Sequence, residues 1–503
     1  MPKHKKPYTT LFQYFMRWKN CGQYTLITTA SLCFYANAFA DDVSYAQAEQ
    51  HILQSSYTTQ ASTALQHASE ANQKAVQYLG MPRVDLNVRA YKFHTETDIP
   101  LQGIKQNLEQ TISQSVNDRI SSIGGDLGLS QDQTSQINTG VNQTIHNGVS
   151  TIPDTADVSF SDQTIRSTVS VIVPMYTGGS ITSTKNLSHL QAQRSQLNNQ
   201  QQQDIQRFEV IQRYFNVQLQ QALLKAAQNN VKAMQQHVEN AYKLEKQGFI
   251  SKGQRMQFEV ARNQALIAQQ TVETERQNSL FSFHNLMRNE RDLHLTTPLF
   301  INSTPNHALA NYMQSYRQQS SLVRKMQMDT DIAEQNIKLQ SAAKKPSIYA
   351  FGEYTLDDKQ NWIVGVVARY NLFSGINHNQ KIQAAEWEHY AAQLMAERTK
   401  QEIENMLFKA YANMLDAQKK HVLLQQNLQA AQENLRIQNL SFKEDMGTVA
   451  QIIDAENAYS LTQAQIATNA YQYILALATL LQSHGSIAQF KDYTNQVNTT
   501  FIQ

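Results

Sequence analysis

Hydrophobic and polar positions follow two rhythms along this chain. In four short stretches the period is two. Residues 82–94 set Val84, Leu86, Val88 and Ala90 against Asp85, Asn87 and Arg89, and residues 162–174 set Ile165, Val169, Val171 and Val173 against Thr164, Arg166, Thr168 and Ser170. Residues 346–356 open at Pro346 and carry Tyr349, Phe351 and Tyr354; residues 361–373 set Trp362, Val364, Val366, Ala368 and Tyr370 against Gly365 and Arg369. Such alternation predicts strands with two unlike faces. Each run is long enough for the ~9–11 residues of a membrane-crossing strand. By itself the pattern also fits a soluble hairpin with one wet face.

Elsewhere apolar residues recur at steps of three and four. Two runs, 179–246 and 377–444, span 68 residues each without a proline. At ~1.5 Å per residue each reaches roughly 100 Å. A helix that long must be covered along its length, because propensity alone does not hold it. Shorter helical patterns cover 43–79, 254–295, 306–342 and 450–482. The lengths of 450–482 and 43–79 together nearly match one long helix, and the other copy offers 254–295 and 306–342. This predicts four helical columns, two continuous and two stacked from halves.

The chain also repeats itself. Val169 to Ile181 reads VSVIVPMYTGGSI and Val364 to His378 reads VGVVARYNLFSGINH, with Gly178 and Gly375 lying 197 residues apart. Each long helix then runs to a glycine-centred break, Gln247-Gly248-Phe249 and Met446-Gly447-Thr448, whose glycines are 199 apart. These landmarks predict an internal duplication with halves 41–295 and 296–503, tips at 247–253 and 445–449, and a short tail after 482. The hairpin loops differ. One is short, at Asp357-Asp358-Lys359-Gln360; the other spans 95–161. Within it Leu101, Ile104, Leu108, Ile112, Val116, Ile120 and Ile123, then Ile137, Val141, Ile145 and Val149, recur at helical spacing after Gly124-Gly125 and a candidate cap at Ser130. This reads as an inserted helical hairpin; the alternative is a disordered loop. Both ends join strands on the side away from the long helices, which predicts an exterior location.

Charge and cysteine usage narrow the class. Residues 1–40 carry Lys3, Lys5, Lys6, Arg17 and Lys19, no acid, a moderately apolar run from Tyr24 to Ala36, and Ala38-Phe39-Ala40 before Asp41. This predicts a signal peptide cut before Asp41. The alternative, a single anchor, needs ~20 apolar residues, more than this Thr- and Ser-containing run supplies. Leu32 before Cys33 disfavours lipidation. Cys21 and Cys33 are the only cysteines, so a chain starting at Asp41 has no disulfide or thiolate site. The formal charge of +2 becomes −3 without those five basic residues, which gives no reason to expect nucleic acid. The fourteen histidines form no His-Glu-x-x-His pair, Gly248 to Gly253 lacks the lysine and hydroxyl of a phosphate loop, and no Gly-x-Ser-x-Gly elbow occurs. No enzyme, cofactor or metal site is expected.

An exported chain of duplicated strand–strand–long helix–tip–helix halves resembles the TolC-like outer-membrane efflux and secretion channels over essentially all of residues 41–503. The most specific residues are Pro174-Met175-Tyr176-Thr177-Gly178-Gly179, similar to the family's strand-to-helix exit. Tyr370-Asn371-Leu372-Phe373-Ser374-Gly375 keeps the aromatic and one glycine but lacks the proline. Met446-Gly447-Thr448 with Ile452-Ile453-Asp454-Ala455 resembles one helical tip, and Gln247-Gly248-Phe249 with Val260-Ala261-Arg262 the other.

The resemblance implies an α+β membrane protein in the outer membrane. Its four strands per chain would join a trimeric 12-stranded barrel, continued by a periplasmic α-helical barrel. Four strands cannot close alone in lipid; eight from a dimer would also close, so the trimer comes from the resemblance. The expected function is a passive exit duct of a tripartite efflux or type I secretion system. The tips Gln247, Gly248, Phe249, Met446, Gly447 and Thr448 would meet a periplasmic adaptor joined to an inner-membrane pump. Asp454 matches an acidic gate position, and Gln451 stands where a second acid is usual. Glu456 lies half a turn beyond Asp454, and the spacing leaves its direction open. Glu444 and Val449 occupy places where the family's best-known member has tyrosine and arginine, and Ser251 to Arg255 reads as an insertion in the first tip. The alternatives are a type I channel dedicated to an adhesin or toxin, a periplasmic coiled-coil scaffold without a pore, and, for Asp454, a plain helix-start acid stabilised by the dipole.

Overall fold

The computed structural model describes residues 41–92, 101–126, scattered positions from 138 to 151, 163–288, 293–303, 307–356, 361–373, 375–444 and 446–502. The expected signal peptide, the cap at Ser130 and the loop at 357–360 lie outside them. Strand β1 (Asp41–Val43) leads into α1 (Tyr45–Ser55) and α2 (Tyr57–Ala75). Then come β2 (Arg83–Lys92), α3 (Leu101–Asp126), β3 (Gln163–Tyr176), the long α4 (Ser180–Lys246) and α5 (Lys252–Met287). Strands β4 (Leu293–Leu295) and β5 (Leu299–Asn302) link the halves. The second half runs α6 (Leu309–Gln319), α7 (Ser321–Ala342), β6 (Ser347–Thr355), β7 (Trp362–Arg369), the long α8 (His378–Lys443), α9 (Val449–His484) and β8 (Thr499–Ile502).

Two helices expected as continuous are broken. The 43–79 pattern stops at Ser56, held at φ −63°, ψ 131°, and the 306–342 pattern at Ser320, held at φ −66°, ψ 115°. Neither break has a proline or glycine. The Ser56 hydroxyl instead donates to Gln206 Oε1 at 3.0 Å inside the packing, and Ser320 lies against Gly485. The 254–295 pattern also ends early, at Arg288, a non-glycine residue at φ +54°.

The long helices run side by side with their neighbours. Going across the chain, one column holds α5 towards the tips and α2 towards the sheet; next comes α4, then a column of α9 and α7, then α8. Ser62 with Asn199 and Gln73 with His189 fix α2 along α4, and Arg194 with Asp329 fixes α7. The spliced columns therefore join helices of the same half. The expected match of 450–482 with 43–79 is not made, because the end of α5 meets α1 through the His51 Nε2···Met287 O contact of 3.0 Å.

Where columns change helix, a belt of aromatic side chains fills the core. Tyr45, Tyr214, Phe215, Phe283, Phe300 and Phe490 are all fully buried and meet mostly edge to face. Two small sheets stitch this level: β1 pairs in parallel with β4, and β5 antiparallel with β8. The Tyr214 hydroxyl donates to Val43 O and accepts from the Thr297 amide, both at 2.9 Å. The short tail after 482 contributes Phe490 and β8.

The larger sheet has the order β2-β3-β6-β7, antiparallel throughout. Its register gives two unlike faces. Leu86, Val169, Tyr354 and Trp362 form one cross-sheet row, and Val84, Val171, Gly352 and Val364 the next. On the other face Asp85, Ser170, Glu353 and Ile363 align. On the apolar face Leu86 is 65 % exposed and Trp362 70 %, so no described residue of this chain covers them. The polar face is covered by the inserted segment. α3 and the helical positions Val141, Ile145 and Val149 pack Val116 and Ile120 on Val367 and Phe351. The described part of the insertion therefore lies against the sheet rather than projecting beyond it.

Candidate functional site

The strand-to-helix exits orient the helices on the sheet. Pro174 pairs with Tyr349 and Tyr176 with Ile348, so Met175 is the extra residue of a bulge. A proline suits this place because it has no N–H to give the ladder. Gly178 (φ +67°) and Gly179 (φ +96°) then turn the chain, and Gly179 stands at the N-cap of α4. In the second exit Gly375 sits at φ +71°, and the Asn377 side chain accepts from the Gln380 amide at 3.2 Å to cap α8. Phe373 is almost fully exposed beside it.

At the far end both tips are four-residue turns. In the first, the Phe249 amide donates to Leu244 O at 3.0 Å; in the second, the Met446 amide donates to Ser441 O at 2.8 Å. Each return helix then starts with a reciprocal cap. The Gln254 amide donates to Ser251 Oγ while the Ser251 amide donates to Gln254 Oε1, and Thr448 and Gln451 repeat the arrangement. Phe249 matches Met446, and Ser251 matches Thr448, each 197 residues on, the same spacing as Gly178 and Gly375. This corrects the tip alignment. Gly248, at φ +79°, has its equivalent at Asp445, outside the described residues. Gly447 has another reason to be glycine, since a Cβ there would lie 2.9 Å from the Phe442 amide nitrogen. The expected insertion Ser251 to Arg255 is the cap and first turn of α5, so the tip proper ends before Ser251.

The two tips pack on one another. Val238, Ala241, Phe258, Val449 and Ile452 form their shared core, with Phe442 edge-on to Phe258 at 6.0 Å. Val449 is therefore a core residue. Arg255 bridges Glu245 across the first turn and Glu259 one turn along α5, and the bond to Glu245 holds its guanidinium above the usual range.

The three candidate gate residues have three separate fates. Gln451 is occupied as the cap partner of Thr448. Glu456 is buried and faces His237, Oε1 to Nε2 3.1 Å, with the His237 ring stacked on Phe258. Asp454 is exposed, as Gln451 is, but it lies on the rim of a groove between α5 and α9 that Met256, Val260 and Ile453 also line. It has no ion pair within the chain among the described residues. The docking candidates Phe249 and Met446 are more than 70 % exposed at the two turns. His237 and Arg255 were not singled out from the sequence. The signal that locates their neighbourhood is the Ser/Thr-x-x-Gln spacing, a capping-box pattern present in both tips. Among the described residues no helix is long and apolar enough to cross a membrane, and no His/Cys/Asp/Glu group could hold a metal.

Comparison with known proteins bears on the whole arrangement. The outer membrane efflux protein family matches residues 312–486. No curated protein matches. The outer membrane protein VceC of Vibrio cholerae superposes with a TM-score of 0.67 at 11 % identity, covering 88 % of this chain and 96 % of its own. The Campylobacter jejuni outer membrane channel CmeC gives 0.65 at 10 %, covering 90 % and 89 %. The open state of the Neisseria gonorrhoeae outer membrane channel MtrE gives 0.65 at 14 %, covering 88 % and 89 %.

Proposed function

We propose, for a chain that is TolC-like both by its matched segment and by its fold, that three copies form one passive duct from periplasm to exterior. Its place is the outer membrane, with the helical columns as the periplasmic extension. The observation that carries a closed ring is the set of unpartnered borders, and the number three comes from the resemblance. β2 and β7 are both edge strands, and an open edge is not tolerated in lipid. On the same sides, α8 exposes Trp387, Leu394, Met395 and Phe408, while α2 and α5 expose Tyr57, Leu65, Ile267 and Phe281. Apolar borders on opposite sides suit a head-to-tail ring. Three copies of four strands give twelve, with twelve helical columns beneath, and the apolar sheet face meets lipid. A pore-less coiled-coil scaffold has no use for that face.

The recurrence of caps, turns and exits at one spacing supports duplication as the origin of the two halves. The exposed tips supply the contact for a periplasmic adaptor, and an inner-membrane pump supplies the energy. Size measurement in detergent and current recordings in planar bilayers test the reading. Conducting trimers are expected; a stable, detergent-free monomer overturns it.

A further inference from the structure

The described part of the inserted segment, α3 above all, runs along the polar face of the sheet. Arg89 Nη1 donates to Thr111 O at 3.3 Å. Two residues along β2, with the Asn87 amide oxygen turned towards them, Arg119 Nε donates at 3.3 Å and Arg89 Nη2 at 3.2 Å. Further along, Val116, Ile120 and Val141 roof a cavity of about 500 Å³, whose floor includes Gly80, Pro82, Ile181 and Ala342 at the junction with the helices. Val367 on β7 is wholly buried beneath this roof, and the Arg119 side chain is almost completely buried as well. The contact is thus a packed seat with an apolar centre and a hydrogen-bonded margin.

In a closed barrel the face opposite the lipid is the lumen, and interiors of such barrels are either water-filled or plugged by loops or a helix. On the reading that three copies close the barrel, we infer that α3 and the helical positions Val141, Ile145 and Val149 form a lumenal plug. One such element per chain narrows the pore at its outer-membrane end, so conduction is set there as well as at the periplasmic tips. Val116 and Ile120 hold the plug by burial, and Arg119 positions it against β2.

Two measurements on the full chain test this. First, a linker variant with residues 101–151 replaced by a short Gly/Ser segment is compared with the full chain in planar bilayers. A higher unit conductance in the linker variant is expected. Equal unit conductance from both overturns the plug alone; no current from either overturns the pore reading and the plug with it. Second, Val367→Cys reports the seat directly. A bulky, charged thiol reagent should leave it unmodified in the otherwise unchanged chain and modify it once Val116→Asp and Ile120→Asp are added. Equal labelling in both backgrounds overturns the seat, even if the linker variant fails to fold.

Discussion

A Cβ on Gly178 would lie 2.7 Å from the carbonyl oxygen of Ala342, the last residue of α7. The turn out of the first strand pair therefore packs directly on the turn into the second. Gly178→Ala adds an atom where the Ala342 carbonyl and the Lys345 Cβ, 2.8 Å away, already stand, and at φ +67° an L-residue is strained besides. Gly375 shares the positive φ, yet a Cβ there meets nothing within 4 Å. Gly375→Ala should cost about 1–2 kcal/mol from backbone strain alone. Gly178→Ala should cost clearly more and reduce the yield of assembled protein. Thermal melting of the two variants in detergent checks the order.

Asp454 is expected to act as a charge filter. A three-fold axis would set three such carboxylates around one opening, and an acidic ring favours cations. Asp454→Asn should lower cation preference and weaken block by polyvalent cations from the periplasmic side, without loss of assembly. If the residue is only a helix-start acid, the change costs ~0.3–1 kcal/mol of dipole stabilisation and leaves selectivity alone. Reversal potentials in a salt gradient separate the two.

The caps make a paired prediction. Ser251→Ala and Thr448→Ala each remove the side-chain acceptor for a helix-start amide, at a cost of about 1 kcal/mol. The two turns share one core through Phe258, Val449 and Ile452, so their effects should be coupled. Local amide exchange in the first turns of α5 and α9 should rise in both single variants.

Adaptor contact is best tested away from the tip glycines, whose replacement distorts the turns. Phe249→Glu and Met446→Glu change exposed side chains only. Both should impair transport in cells while trimer yield and bilayer current stay as before. Unimpaired transport would move the adaptor contact onto the helical flanks.

Much of this was legible because long elements carry redundant signals. Sixty-odd residues of helical period without proline fixed α4 and α8 to within a residue or two, and alternation marked all four large strands. The belt was not legible, since β1, β4, β5 and β8 have three or four residues each, too few for a period to show. The breaks at Ser56 and Ser320 were hidden for another reason. Their cause is a tertiary contact, with Gln206 in one case and Gly485 in the other, and nothing local announces it. At the tip, Asp454 was found from a resemblance, while the direction of Glu456 depended on His237, 219 positions away. The glycine pairing erred because two glycines serving different ends were taken as equivalents.

The splices at the aromatic belt also decide how force would travel through the molecule. α4 and α8 are unbroken struts from sheet to tip, so a pull on one end reaches the other along a single covalent backbone. The neighbouring columns change helix at belt level, and a load there must cross side-chain contacts and the two small stitched sheets. Bending is thereby concentrated at one height, with stiff spans on either side of it.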